Sequence, residues 1–346
     1  MAESLSVHLA KRPEANVVPG ETFSQKTSPA PTPSDLKDGQ LLVETLYLSL
    51  DPAMRGWLRD ERSYLPPVQI GEVMRGGSVC RVLASKSSNF KAGDLVTTFT
   101  AGWREIAIVK ESDANKVVLP PNGHVTDALG VLGMTGLTAY FGMMTVGQPK
   151  KGETVVVTAA AGATGSVAAQ IAKILGARVV GIAGGEEKRK WLEEVGFDVA
   201  LDYKDPDFRK KFKEATPGFI DVFWDNVGGE QLDMGLARAN KFARFVMCGA
   251  ISQYNNPNPQ GPRNISKIIT MRIRMEGFIV LDHVQKFPEA VKQLGQWLAE
   301  GKLQRKETIV KGGLKVAEEA LLQLFEGKNT GKLLVEVKNP GESSKL

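Results

Sequence analysis

The stretch VVVTAAAGATGSVAAQIAKILGARVVGIAGGEEKRKWL, residues 155–192, decides the fold. A run of valines ends in a turn of small residues, a helix of small and apolar residues follows, and a second apolar segment, RVVGIAG, comes after it. Short apolar runs without polar alternation are the mark of strands buried on both faces of a parallel sheet. The turn from Ala160 to Gly165 reads AxGxxG, with alanine in the place of a first glycine. Gly162 lets backbone approach a pyrophosphate, and Gly165 lets the helix pack closely on the sheet, which puts phosphates at the helix N-terminus. Glycines alone fit any tight strand-to-helix turn. The strand before, the helix after and the second strand at the proper distance point to a dinucleotide.

About 20 residues past such a turn, a carboxylate ordinarily bonds the ribose hydroxyls of NAD. Here stand Ala183, Gly184 and Gly185, followed by Glu186, Glu187, Lys188, Arg189 and Lys190. A small, neutral strand end leaves room for a 2′-phosphate, so NADP is the expected cofactor. Lys188, in the first turn of the next helix, is placed to meet that phosphate. The rest of the charge run reads as a solvated helix face, with Glu186 and Glu187 favoured near the helix N-terminus by its dipole. Tyr203, in ALDYKD, either offers its hydroxyl to the same phosphate or packs as an edge aromatic; the residues leave both open.

Working outward, the 346 residues are 42% hydrophobic and 24% charged, enough for two cores. The formal charge of +5 is spread among mixed signs, so no basic face for nucleic acid is expected. The N-terminal segment MAESLSVHLAKRPEANVV has no apolar signal region, and no run of about 18 apolar residues occurs, which predicts a soluble, cytoplasmic protein without membrane association. Cys80 and Cys248 are isolated, and His8, His124 and His283 are scattered, so neither a disulfide framework nor a metal site is expected. Residues 1–125 are rich in Pro, Gly and period-two stretches and read as a compact β-barrel. From residue 126 strands alternate with helices, the pattern of a doubly wound parallel sheet. The chain then returns, so the expected division is 1–125 plus about 312–346 for the β domain and 126–311 for the nucleotide-binding domain.

The segments AAAGATGS, GIAGGEEK, ALDYKD, DNVGGEQLD, CGAISQYN, MEGFIV and GKNTGKLLVEV, with LYLSLDPAMRGWL and LGMTGLTAYFG upstream, occur in fixed order. In them the chain resembles the zinc-independent medium-chain dehydrogenase/reductases, and among these the prostaglandin reductases and alkenal double-bond reductases. The resemblance spans nearly the whole chain. It implies a GroES-like β domain, a Rossmann domain, NADPH between them, a homodimer, and reduction of the carbon–carbon double bond of α,β-unsaturated aldehydes or ketones.

Residue by residue, the resemblance implies pyrophosphate contacts at Gly162, Ala163, Thr164 and Gly165, and 2′-phosphate contacts at Lys188 and Tyr203. It puts Asn226 on the adenosine or ribose side and brings Asn329 back from the tail. Cys248, Gly249, Ala250, Ile251, Ser252 and Tyr254, with Phe278, Ile279 and Val280, line the nicotinamide. Met134 and Thr138 stand at its face or serve in helix packing, and Tyr47 and Met54 shape a substrate wall or pack a β core. The chain departs from its family at Thr164, where valine is commoner, and at Gly185, where serine is, which removes one phosphate hydrogen bond.

Reducing a conjugated double bond requires hydride at the β-carbon, stabilisation of the resulting enolate oxygen and a proton at the α-carbon. Tyr254 sits in a loop after an apolar strand, at the carboxyl end of the sheet where such folds bind ligands. A tyrosine in a Ser/Asn/Pro loop also suits a surface turn. The resemblance makes it the catalytic donor beside the nicotinamide ribose. Two other functions share the fold: a quinone reductase, and a non-catalytic NADPH-binding redox sensor. Loops 55–70 and 254–265 would set the substrate pocket.

Overall fold

The computed structural model describes residues 2–341. Its nucleotide-binding part is a parallel sheet built from β8 (Thr154–Val157), β9 (Arg178–Ala183), β10 (Val199–Asp202), β11 (Ile220–Asp225), β12 (Ala239–Met247) and β13 (Arg274–Gly277). The strand order is β10-β9-β8-β11-β12-β13, and every pairing is parallel. In chain order this is 3-2-1-4-5-6, with the crevice opening where β8 and β11 part. Helices α3 (Ala163–Ile174), α4 (Glu186–Glu194), α5 (Phe208–Ala215), α6 (Gly229–Ala237) and α7 (Lys267–Met271) make the crossovers.

The valine run behaves as a doubly buried strand should. Val155 and Val157 enter the core that holds Ala168 and Ala172 of α3, while Val156 enters the opposite core with Val180, Phe223 and Phe245. Burying each such side chain stabilises the fold by about 1.5–3 kcal/mol.

The second domain is formed around β3 (Gln40–Ser49), β4 (Ser78–Ser85), β5 (Leu95–Thr98), β6 (Ile106–Lys110), β7 (Ala114–Lys116), β14 (Glu307–Lys311) and β15 (Lys332–Glu336), with the hairpin β1 (Glu3–Leu9) and β2 (Phe23–Pro29) alongside. Its sheet order is β14-β15-β3-β4-β5-β7, and β6 pairs with β3. The division expected from sequence needs a correction at the return. Strand β14 already belongs to this sheet, paired with β15 from Glu307 onward, so the chain re-enters the β domain before residue 312. The short strand ETIVK carries too little periodicity to separate it from the helix ahead of it.

Helix α1 (Met54–Trp57) projects from the end of β3, α2 (Met134–Phe141) connects the two domains, α8 (Phe287–Ala299) flanks the parallel sheet, and α9 (Ala317–Phe325) packs Ala317, Ala320, Leu321 and Leu324 into the β-domain core. Among the described residues no helix is long and apolar enough to cross a membrane.

Candidate nucleotide and active site

The turn after β8 exposes backbone where a dinucleotide phosphate would rest. Gly162 is the N-cap of α3, and the N–H groups of Ala163, Thr164 and Gly165 open the helix without carbonyl partners inside it. A Cβ at Gly165 would lie 2.5 Å from the Ala159 carbonyl oxygen, so only glycine lets the helix start here. A Cβ at Gly162 would meet little but that same oxygen at 3.2 Å; its missing side chain keeps the approach open. The strained residue of the turn is Ala159, held at φ 46°, one position before the alanine read as a replaced glycine.

The tail closes over this turn. Gly331 N donates to the Ala161 carbonyl at 2.7 Å, and Gly162 and Gly331 form a parallel bridge. Asn329 lies in this returning loop, where its amide donates to the Gly331 carbonyl at 2.8 Å and so braces the loop itself. Asn226 likewise lies at the crevice with much of its amide engaged. Its Nδ2 donates to the Thr158 carbonyl at 2.6 Å, and its Oδ1 accepts from Trp224 Nε1 at 3.0 Å.

Around the end of β9 lie Tyr203, which follows β10, and Lys188, in the first turn of α4. The ring of Tyr203 covers Gly184, where a Cβ would come within 3.0 Å of the phenol oxygen, and Lys188 Nζ donates to the Gly327 carbonyl at 2.6 Å. Burial, and then the nearby Lys204, hold the Lys188 ammonium below its usual pKa. Lys204 outweighs the opposing charge of Glu187, and two cations held close favour an anion between them. Lys204 was not singled out from sequence; its position directly after Tyr203 at a strand end was the available signal.

The loop after β12 wraps the crevice. Asp225, fully buried, accepts from Val227 N, Gly228 N and Thr158 Oγ1, at 2.9 to 3.1 Å, and burial raises its pKa. Gly249 N and Cys248 N donate to the Asp225 carbonyl, Ile251 N to that of Asn226 and Ser252 N to that of Val227. Burial, then Asp225, push the Cys248 thiol up to about 12, so it is a neutral group at neutral pH. Phe278 packs edge-on to Trp224 at 5.9 Å, with Ile279 and Val280 half-buried beside it.

Tyr254 is the polar centre of this loop. Its phenol oxygen accepts a hydrogen bond from Ala250 N at 3.1 Å, which leaves its own O–H free to donate. Burial is the main reason the phenol sits above its ordinary pKa. The β domain supplies neighbours that sequence reading placed only within a loop: Tyr64, whose oxygen accepts from Trp57 Nε1 at 2.8 Å, and Arg59, whose Nη2 donates to the Tyr254 carbonyl at 2.8 Å.

Two expected wall residues are elsewhere. Met54 is 0% exposed and packs with Leu48 and Trp103 in the β-domain core. Tyr47 is buried against Val79, Leu129 and Leu334, its hydroxyl turned toward Glu336 at 3.5 Å. Both stand on or just after β3, the most enclosed strand of its sheet, which explains the packing. Met134 is 44% exposed at the start of α2, while the Thr138 hydroxyl donates to the Met134 carbonyl within the helix at 2.7 Å.

A family profile described as "N-terminal domain of oxidoreductase" matches residues 6–117, and one described as "Zinc-binding dehydrogenase" matches residues 163–297. The NADPH-dependent curcumin reductase of Escherichia coli is 42% identical over 95% of this chain and 95% of its own. The chain belongs to the zinc-independent medium-chain dehydrogenase/reductases. The NADP(+)-dependent 2-alkenal reductase of Nicotiana tabacum, in the same family, is 40% identical over 86% of this chain and 87% of its own. The crystal structure of CurA with NADPH from Vibrio vulnificus superposes with a TM-score of 0.89 at 41% identity, covering 97% of this chain and 100% of that one. As a medium-chain dehydrogenase/reductase the chain is an oxidoreductase of two domains. The second profile's description names zinc, yet among the described residues no group of three or more His, Cys, Asp and Glu could hold a metal ion. His8 bonds Ser6 and the Gly71 carbonyl, and His283 stacks on Phe141 at 4.6 Å.

Proposed function

We propose that this chain uses NADPH to reduce the carbon–carbon double bond of α,β-unsaturated aldehydes and ketones. The observation that carries the reading is the free O–H of Tyr254, whose oxygen is fixed by Ala250 N at the carboxyl end of the parallel sheet. The cofactor fits the residues present. The N–H groups at 163–165 would take the pyrophosphate, Lys188, Lys204 and Tyr203 the 2′-phosphate, and Cys248 to Tyr254 with Phe278 the nicotinamide end. When bound, NADPH supplies the hydride.

The chain's own part is electrostatic and positional. As negative charge grows on the substrate oxygen, the Tyr254 hydroxyl donates to it, an interaction stronger in the transition state than in the ground state. Its raised pKa keeps the proton on oxygen at neutral pH, so it serves as donor and not as base. Burial of the phenol, which raises its pKa, also lowers the local dielectric and strengthens that bond.

The names of the curcumin, prostaglandin and alkenal reductases, at 40–42% identity, support this class of substrate. Strand β13 ends the parallel sheet with β12 as its one neighbour, and we read that edge as the seat of a second copy of the chain. NADPH oxidation, followed optically with a short enal, a cyclic enone and a quinone in parallel, tests the function. Turnover of enal and enone, with the saturated carbonyl as product, is expected. Turnover of the quinone alone would overturn the reading.

A further inference from the structure

The loop that carries Tyr254 is gripped from the other domain by two arginines. Arg59 Nη2 donates to the main-chain carbonyl of Tyr254 at 2.8 Å. Arg55, on α1 and 1% exposed, donates from Nε to Asn255 Oδ1 at 3.0 Å and to the Ala15 carbonyl at 2.8 Å, and from Nη2 to the Pro13 carbonyl at 2.9 Å. Its Nη1 is buried with no hydrogen-bond partner, and burial, then Arg59, lower its pKa. Among the described residues no carboxylate lies within ion-pair distance of either guanidinium, although the charge of Glu61 acts on Arg55 from further away.

Burying a guanidinium without an ion-pair partner is costly, and an apolar side chain in such a place is often no less stable. Two of the three bonds of Arg55 hold residues 13 and 15 of its own domain, and the third reaches the opposite domain. What the two arginines share is their targets: consecutive residues of the opposite domain, one of them the donor tyrosine. The far end of that side chain is already fixed by Ala250 N, and a Cβ at Gly249 would come within 3.0 Å of the phenol oxygen. Clamping the backbone at the near end leaves the phenol one position.

We propose that Arg59 and Arg55 are positioning residues for Tyr254, so that the β domain, through α1, sets where the donor hydroxyl stands in the cleft. The proposal rests on Tyr254 acting as the donor. Misplacing a catalytic group by about 1 Å can cost about a hundredfold in rate. Losing one of the two grips is expected to cost part of that.

The test is a double-mutant cycle on the intact chain with an enal as substrate. Arg59→Ala is expected to lower kcat about tenfold while leaving the NADPH Kd within about twofold. In a Tyr254→Phe background the same substitution should change kcat by less than about twofold, because no donor is left to misplace. Arg59→Lys should restore part of the rate, since an ammonium can reach the same carbonyl. Asn255→Ala, which removes one anchor of Arg55 and keeps its two carbonyl bonds, should act in the same direction, and thermal unfolding shows that each variant is folded. Equal losses in both backgrounds would make the arginines structural and overturn the proposal, as would an unchanged kcat in Arg59→Ala. An unchanged kcat in Tyr254→Phe alone overturns the donor reading instead, and the clamp's catalytic role with it.

Discussion

The ammonium of Lys188 donates to the main-chain carbonyl of Gly327 at 2.6 Å, tying the helix after β9 to the loop that returns across the nucleotide turn. A neutral carbonyl is a weak partner for a cation that burial and Lys204 already disfavour. A phosphate dianion is a far stronger one. On the reading that Lys188 meets the 2′-phosphate, that phosphate would replace Gly327 as its partner.

Replacing Lys188 by alanine should weaken NADPH about tenfold or more, because one charge-assisted bond is worth about 1.5–3 kcal/mol, and should leave NADH within about twofold. Fluorescence titration of both cofactors decides it. Equal loss for both would mean that the lysine supports the loop and does not read the phosphate.

The two glycines of the turn should fail in different ways. Gly165→Ala forces a Cβ to within 2.5 Å of the Ala159 oxygen and 3.1 Å of Ala160 Cα, all backbone, so the fold itself should lose about 1–3 kcal/mol. Gly162 has φ −81° and one close neighbour for a Cβ, the Ala159 oxygen at 3.2 Å, so Gly162→Ala should lose less stability than Gly165→Ala yet bind NADPH at least about tenfold more weakly. Calorimetric melting set beside cofactor titration separates the two; a Gly162→Ala protein with unaltered NADPH affinity would remove the pyrophosphate from this turn.

How much of this was legible in the sequence follows from where the information lies. The parallel sheet was readable because Val155–Val157 and their helix carry both packing and ligand approach in one short motif. The return at Glu307 was not, because a five-residue strand whose partner is β15, some twenty residues on, has no local pattern of its own. Lys188 and Tyr203 were proposed from the neutral end of β9, a local feature of the sequence. For Met54 and Tyr47 the sequence left a substrate wall and core packing both open, because an apolar residue near a loop looks the same in either place; both are buried in the β domain. Arg55 and Arg59 escaped for the opposite reason: their partners lie about two hundred residues away, at Tyr254 and Asn255.

Dialysis against a strong chelator should leave the rate intact, and elemental analysis should find no stoichiometric zinc, since no three ligand side chains converge among the described residues. A tightly held equivalent of zinc, lost together with activity, would contradict this.

Strand β13 presents Arg274–Gly277 with one neighbour, and exposed Val284 lies just beyond it. A twofold pairing of such edges would hide unpaired backbone groups of both copies. Light scattering at micromolar concentration should return the mass of a dimer; a mass near 37.5 kDa would refute it.

The last prediction concerns the donor itself. Tyr254→Phe removes one hydroxyl and leaves the ring that packs the loop, so NADPH affinity should hold while kcat falls by roughly ten- to a thousandfold, the range for losing one oxyanion or general-acid contact. The lower end is expected, because a ribose hydroxyl of the cofactor can carry part of the role. The pH dependence follows from the sign of the shift. Burial raises the phenol above its ordinary value of 10.0, so the donor stays protonated throughout the neutral range and is lost only at higher pH. In the wild type this group should leave kcat flat from pH 7 to about 9, with any alkaline limb above about pH 10, and Tyr254→Phe should abolish that limb. Steady-state kinetics across pH with the best enal, beside an NADPH titration, measure both effects. A limb that survives in Tyr254→Phe would assign the titration to another group. An unchanged kcat together with weakened NADPH binding would make Tyr254 a cofactor clamp.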